Sequence, residues 1–138
     1  NPVIDPNGKV LATYGSGKWD DRYRERIDQM LDLFTQAKCE VFVIGVPIMK
    51  SQSLATKIAH LNTLFREEAA KYSNAHFIST WELLTDKNGN YTDYILDASG
   101  KRRLVRTADG VHLQYYAGYY VSDAVVSEMG KFLNLQPK

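Results

Sequence analysis

Val41-Phe42-Val43-Ile44-Gly45-Val46-Pro47 is an unbroken run of β-branched and aromatic residues that ends on a proline. A run without polar alternation reads as a strand buried on both faces, the kind found in parallel sheets covered by helices. Pro47 stops it, because proline has no N–H to give to a central ladder. Upstream, Trp19, Tyr23, Ile27, Met30, Leu31 and Phe34 recur at three- and four-residue spacing and predict a helix from about Lys18 to Ala37. Asp20 and Asp21 fall in its first turn, where the helix dipole favours negative charge, and Ser16 stands at its N-cap. Downstream, Leu54, Ile58, Leu61, Leu64, Phe65, Ala69 and Tyr72 form the stripe of a second helix from Ser53 to Tyr72, with Arg66, Glu67, Glu68 and Lys71 expected to face outward. Ala75-His76-Phe77-Ile78-Ser79 follows as a second strand. Helix, strand, helix, strand is the rhythm of an α/β chain with right-handed crossovers.

The flanks are less regular. Asn1 to Gly17, punctuated by Pro2, Pro6 and Asn7-Gly8, reads as a loop with tight turns, and an entry loop of that length reads as the exit from an element lying upstream. Between 81 and 108 the rhythm breaks. Asn88-Gly89-Asn90 signals a turn, and Tyr91–Leu96 and Arg102–Arg106 flank Ser99-Gly100 as a small irregular hairpin. A last helix is expected from about Ala117 to Leu133, with Val121, Ala124, Val125, Met129 and Phe132 on its apolar face. Only two core strands emerge, and a stable sandwiched sheet wants three or more. The remaining strands are expected from an N-terminal segment upstream of these residues or from another chain.

Composition narrows the classes. With 138 residues, 44% hydrophobic and 24% charged, the chain is ordinary for a folded domain. Seventeen basic against sixteen acidic side chains give a net charge of +1, which is no footprint for nucleic acid. The apolar run Val41 to Val46 is too short to span a bilayer. The single cysteine, Cys39, excludes an intrachain disulfide and a multi-cysteine metal site. No cofactor is implied: neither Asn7-Gly8 nor Gly15-Ser16-Gly17 fits a P-loop or dinucleotide fingerprint, and His60 and His76 lack partners at metal-ligand spacing.

Asp109-Gly110-Val111-His112, just before the last helix, is the strongest chemical candidate. A serine hydrolase needs a histidine to take the hydroxyl proton and an aspartate to orient that histidine. Three residues apart in one turn, the carboxylate can accept Nδ1–H while Nε2 points outward. The same spacing also fits a turn aspartate capping the last helix beside a surface histidine. Lys101, Arg102, Arg103 and Arg106 could attract an anionic glycan or form a solvated arm. Pro47, Ile48 and Met49 leave the carboxyl end of a core strand, where α/β sites form, and either line an acyl pocket or pack in the core. Trp81 and Tyr91 could stack on a sugar, but core packing is the reading adopted.

In context, the Asp-x-x-His element before a final helix resembles the last block of the SGNH (GDSL-type) hydrolases. Gly8-Lys9-Val10 with Tyr14-Gly15-Ser16-Gly17-Lys18-Trp19 is similar to the loop into the long helix of one bacterial cell-envelope branch. Val43-Ile44-Gly45-Val46-Pro47-Ile48-Met49 resembles that branch's Gly-(Leu/Val)-Pro-Pro-Met strand end, with Ile48 in place of the second proline. His76-Phe77-Ile78-Ser79-Thr80-Trp81, Asn88-Gly89-Asn90-Tyr91 and Gly100-Lys101-Arg102-Arg103-Leu104-Val105-Arg106 match its next strand and irregular arm. After the histidine the branch reads His-Leu/Phe-Thr-x-Ala-Gly. Here His112-Leu113-Gln114-Tyr115-Tyr116-Ala117-Gly118 is one residue longer, which directs Tyr115 or Tyr116 towards the site.

The resemblance implies a three-layer α/β/α, flavodoxin-like SGNH fold with a parallel sheet, of which residues 1–138 form the C-terminal part of a single domain whose N-terminal strands lie elsewhere. It implies an ester hydrolase, acting for example on O-acetyl groups of a cell-envelope glycan, in the periplasm or envelope. His112 would be the base, Asp109 its orienting acid, and Pro47, Met49, Tyr115 and Arg103 would line the substrate site. The family's Gly-Asp-Ser nucleophile and Gly-x-Asn-Asp oxyanion blocks do not occur in this sequence. Asn1, near the register of the latter but followed by Pro2, is not assigned to it. Ser16, Ser51, Ser53 and Ser99 read as cap and turn residues. The substrate partner is thus an acylated carbohydrate or another small ester. The alternative is a non-catalytic domain of the same fold acting as a glycan-binding or assembly module. A flavodoxin-like nucleotide-binding domain would need an acidic or phosphate-binding cluster at the strand ends, and none is visible.

Overall fold

The computed structural model describes residues 2–133, so Asn1 lies outside the described residues. The elements run β1 (Val3–Ile4), β2 (Val10–Ala12), α1 (Gly17–Gln36), β3 (Val41–Ile44), α2 (Gln52–Ala69), β4 (Ala75–Ile78), a short 3-10 turn (Glu82–Leu84), β5 (Tyr94–Leu96), β6 (Arg102–Leu104) and α3 (Tyr115–Met129). The chain is mixed α/β. Among the described residues the strands make three two-stranded sheets, β1 with β2, β3 with β4 and β5 with β6. The β3–β4 pair is parallel, as the unbroken apolar run predicts: Val41 N–H donates to Asn74 O, and four residues on in both strands Gly45 N–H donates to Ile78 O, each at 2.8 Å. Burial on both faces does not hold for β3. Val41 and Val43 are buried, but Phe42 is half-buried and Ile44 is 40% exposed, the alternation of a strand covered on one side.

Contacts divide the chain into two units, the first holding residues through Val43 with Thr63–Phe77, the second Ile44–Asn62 with residues from Ile78 onward. In the first, the opening stretch is not the loop that its prolines suggest. β1 and β2 form an antiparallel hairpin pairing Val3 with Ala12 and Ile4 with Val10. Its turn is set by Asp5, whose Oδ1 accepts the N–H groups of Asn7 and Lys9 at 2.9 Å, and by Gly8 at φ +83°. Strands of two and three residues carry too little alternation to be seen, and the turn chemistry hides them. α1 buries Trp19, Ile27 and Leu31, with Trp19 stacked on Tyr23 at 4.1 Å. Ser16 stands at its N-cap, but the hydroxyl donates to Thr13 O at 2.7 Å instead of capping an amide.

Glu68 also departs from the sequence reading: it is fully buried, not outward. It lies one turn beyond Leu64 on the buried stripe of α2 and is tolerated there because Arg24 of α1 meets it at 2.5 Å and Lys71 closes on its other oxygen. Burial pushes this carboxyl up, but the hydrogen bonds from Lys71 and Arg24 win and hold it below the usual range. Its contribution to stability is therefore present at neutral pH and is lost as pH falls through that lowered value.

In the second unit, Asn62 on α2 clasps the segment leaving β3. Its amide accepts Val46 N–H at 2.8 Å and donates to Val46 O at 2.7 Å, as a neighbouring strand would. Thr80 Oγ1 donates to Gly45 O at 2.6 Å. The β5–β6 hairpin, in register from Tyr94–Leu104 to Leu96–Arg102, carries α3 on Leu84, Val105 and Ala117, which are fully buried with Ile95, Leu113, Tyr116 and Val121 around them. Asn62→Ala should leave both polar groups of Val46 without their partner, and urea unfolding should show a loss of about 1–3 kcal/mol.

Candidate active site

The Asp109–His112 turn belongs wholly to the second unit. It is pinched off by an isolated antiparallel bridge between Arg106 and Leu113, with Thr107 N–H donating to His112 O at 3.0 Å and Gln114 N–H to Val105 O at 3.0 Å. Gly110 allows the reversal. It sits at φ +68°, where side chains are strained, and a Cβ there would run into the side chain of Lys50. Lys50 N–H donates to Gly110 O at 3.2 Å, so the turn rests against the segment leaving β3.

Within the turn the two carboxylate oxygens of Asp109 are divided. Oδ1 accepts from Thr107 Oγ1 at 2.5 Å, Val111 N at 2.9 Å and His112 N at 3.1 Å. Oδ2 meets His112 Nδ1 at 2.6 Å. Thr107 first, then His112 and the two amides, hold this carboxyl well below the usual carboxylate range. An ionised carboxylate only accepts, so Nδ1 must carry the proton, and the neutral ring presents the Nε2 lone pair. The His112 side chain is 77% exposed, and among the described residues Nε2 has no hydrogen-bond partner. The helix-cap reading of Asp109 is displaced: Gln114 holds the N-cap of α3, and the Asp109 oxygens are spent inside their own turn.

Of the four cations Lys101, Arg102, Arg103 and Arg106, Arg106 is on no solvated arm: it is 1% exposed. Its guanidinium donates to Val111 O at 2.8 Å and to Ile48 O, binding the turn to the β3 exit. Nε has no partner among the described residues, and burial pushes the group below its ordinary pKa. The guanidinium lies 5.7 Å from the centre of the Tyr91 ring, whose hydroxyl donates to Asp93 at 2.7 Å. Burial, then that bond, push the Tyr91 phenol up to about 12. Asp93 also faces Lys50 Nζ at 3.5 Å. The i, i+2 pairing of Thr107 with Asp109 is the one sequence signal that could have marked the turn's anchor; nothing local separates Arg106 from its exposed neighbours.

Of the other residues singled out, Met49 is buried and lines a cavity of about 600 Å³ with Ile48 and Lys50. Pro47 is half-buried and is not in that wall. Arg103 is engaged on the hairpin, at 2.8 Å from Asp97 and over the Tyr116 ring at 5.1 Å. Tyr115 is 80% exposed on the first turn of α3, with its hydroxyl 2.7 Å from that of Tyr119. The structure joins Asp109 to His112 and does not bring Arg103 or Tyr115 into hydrogen-bond contact with them.

The chain is thus an α/β protein with an ordered Asp-His pair at the mouth of its last helix. It belongs to the family described as "Protein of unknown function (DUF459)", which matches residues 3–128. Among solved structures it is similar to one described as "a putative platelet activating factor from Streptococcus pneumonia", with a TM-score of 0.60 at 17% identity. That likeness, covering 80% of this chain and 51% of the other, is one of fold, and this chain spans about half the length of the protein it matches. No curated protein matches it by sequence.

Removing the Arg106 guanidinium while keeping its bulk, as in Arg106→Met, should leave the buried Ile48 O and the part-buried Val111 O without these donors. Thermal and urea unfolding should report a loss of about 2–4 kcal/mol.

Proposed function

We propose that the intact protein is an ester hydrolase of the SGNH type, a three-layer α/β/α enzyme in which His112 is the general base and Asp109 fixes its tautomer. The observation that carries the reading is the 2.6 Å contact between His112 Nδ1 and an Asp109 carboxylate already saturated on its other oxygen, with Nε2 left open to solvent. The fold shared with the pneumococcal structure is in keeping with a hydrolase-type chain, but the activity rests on the site.

In this reading Nε2 removes the proton of a serine hydroxyl, the serine oxygen bonds to the ester carbonyl carbon, and the carbonyl becomes an oxyanion. The imidazolium then gives that proton to the departing alkoxide, leaving an acyl-enzyme and a free alcohol. Water, deprotonated by the same nitrogen, releases the carboxylic acid and restores the serine. The nucleophile and oxyanion donors are those that the sequence resemblance assigns to a Gly-Asp-Ser and a Gly-x-Asn-Asp block upstream. The proposed substrates are O-acyl groups, acetyl first, on a glycan of the cell envelope.

The intact protein should turn over an aryl acetate, and His112→Ala should lower kcat by about 10⁴- to 10⁶-fold. Asp109→Asn should lower it by roughly 10⁴-fold, because a carboxamide can hold the wrong tautomer. Undiminished turnover in His112→Ala would overturn the assignment. Absence of turnover from the unaltered protein would favour the non-catalytic, glycan-binding reading. Since Asp109 is held ionised far into acid, the acid limb of kcat/KM should show no break from this carboxyl.

A further inference from the structure

The second unit contains a cavity of about 600 Å³, well inside the roughly 300–1,000 Å³ range of small-molecule sites. Its wall is of two kinds. Trp81 and Tyr91 supply aromatic rings, and Ile48, Met49, Ala55 and Ala59 supply an aliphatic floor. Gln52, Thr56, Asn90 and Lys50 supply polar groups on the same wall. Trp81 and Tyr91 are half-buried, not core residues as their sequence setting suggests.

The state of those polar groups narrows what can enter. The Tyr91 hydroxyl has spent its proton on Asp93, so its oxygen is left to accept. The Thr56 hydroxyl donates to Gln52 O at 3.0 Å and likewise keeps acceptor capacity. The amides of exposed Gln52 and Asn90 can both donate and accept. Lys50 Nζ faces Asp93 at 3.5 Å, which sets a carboxylate beside the cation of this wall. A long acyl chain would make no use of these polar groups. A pyranose fits both kinds of wall: its C–H face packs on aromatic rings, and its ring hydroxyls meet acceptors and amides.

The cavity also has a fixed relation to the candidate catalytic turn. Lys50 lines it and carries the backbone bond to Gly110, and Ile48 lines it and is bound through its carbonyl to Arg106. We infer that this cavity is a carbohydrate subsite, holding a sugar ring of a glycan through Trp81, Tyr91, Gln52 and Asn90. The inference rests on the ester-hydrolase reading only for the claim that the bound sugar bears the ester; sugar binding itself stands apart from turnover.

The test is binding to the intact protein carrying His112→Ala, so that no turnover interferes. Chitotetraose, cellotetraose and xylotetraose are titrated while intrinsic fluorescence and amide chemical shifts are followed. At least one should bind saturably with a dissociation constant of roughly 0.1–10 mM, with the shifts centred on 48–56 and 81–91. Trp81→Ala should weaken it about tenfold. Gln52→Ala, at an exposed position opening α2, should weaken it severalfold and guards against a misfolded Trp81 variant. No saturable binding of any of the three sugars, or binding unmoved by both variants, would overturn the subsite. Sugar binding in a protein without esterase activity would sink the catalytic reading and leave the subsite standing. Esterase activity without sugar binding would do the reverse.

Discussion

A buried guanidinium holds the candidate site together. Arg106 reaches the carbonyl of Ile48, at the exit of β3, and the carbonyl of Val111, inside the Asp109–His112 turn. A cation taken out of water is costly unless charge-assisted hydrogen bonds replace its hydration. Two carbonyls from different segments supply that here, so neither segment can drift without exposing an uncompensated charge. The backbone bond between Lys50 and Gly110 repeats the link, and the absent Cβ of Gly110 lets the two chains approach. Two segments far apart in the chain are thereby tied together at one corner.

On that corner the electrostatics are local and complete. Asp109 is exposed, yet its Oδ1 is saturated by a hydroxyl and two amides, so the carboxylate stays charged and its Oδ2 is fixed in direction. The ring nitrogen it faces must donate, and the far nitrogen is left as a base. No burial is needed to set this tautomer; geometry and hydrogen bonding suffice. That suits a residue which has to meet a nucleophile and a leaving alcohol in turn.

Much of the frame was legible in the sequence. The three long helices and the β3–β4 pair rest on periodicity and on unbroken apolar runs, both of which local sequence records. The Asp-x-x-His pair was legible because the geometry of one turn fixes the contact. What escaped depended on contacts distant in the chain. Arg106 reads like Arg102 and Arg103, and only packing against Ile48, 58 residues away, sets it apart. Glu68 reads as a surface carboxylate until Arg24, 44 residues away, is seen beside it. The β1–β2 hairpin was hidden by brevity, although its turn was open to reading. Asp5-Pro6-Asn7-Gly8, Asp86-Lys87-Asn88-Gly89 and Asp97-Ala98-Ser99-Gly100 all place an aspartate Oδ1 on the amides two and four residues on, with glycine at φ near +80°. One four-residue pattern runs through all three turns that the glycines mark.

The account depends on Asp109 dictating which nitrogen of His112 holds the proton. Long-range proton–nitrogen correlation spectra of the intact protein, recorded with His112 neutral, read this directly. The account predicts the Nδ1–H tautomer, with a strongly deshielded Nδ1 proton that vanishes in Asp109→Asn. A neutral His112 protonated on Nε2, as a free histidine prefers, would contradict it.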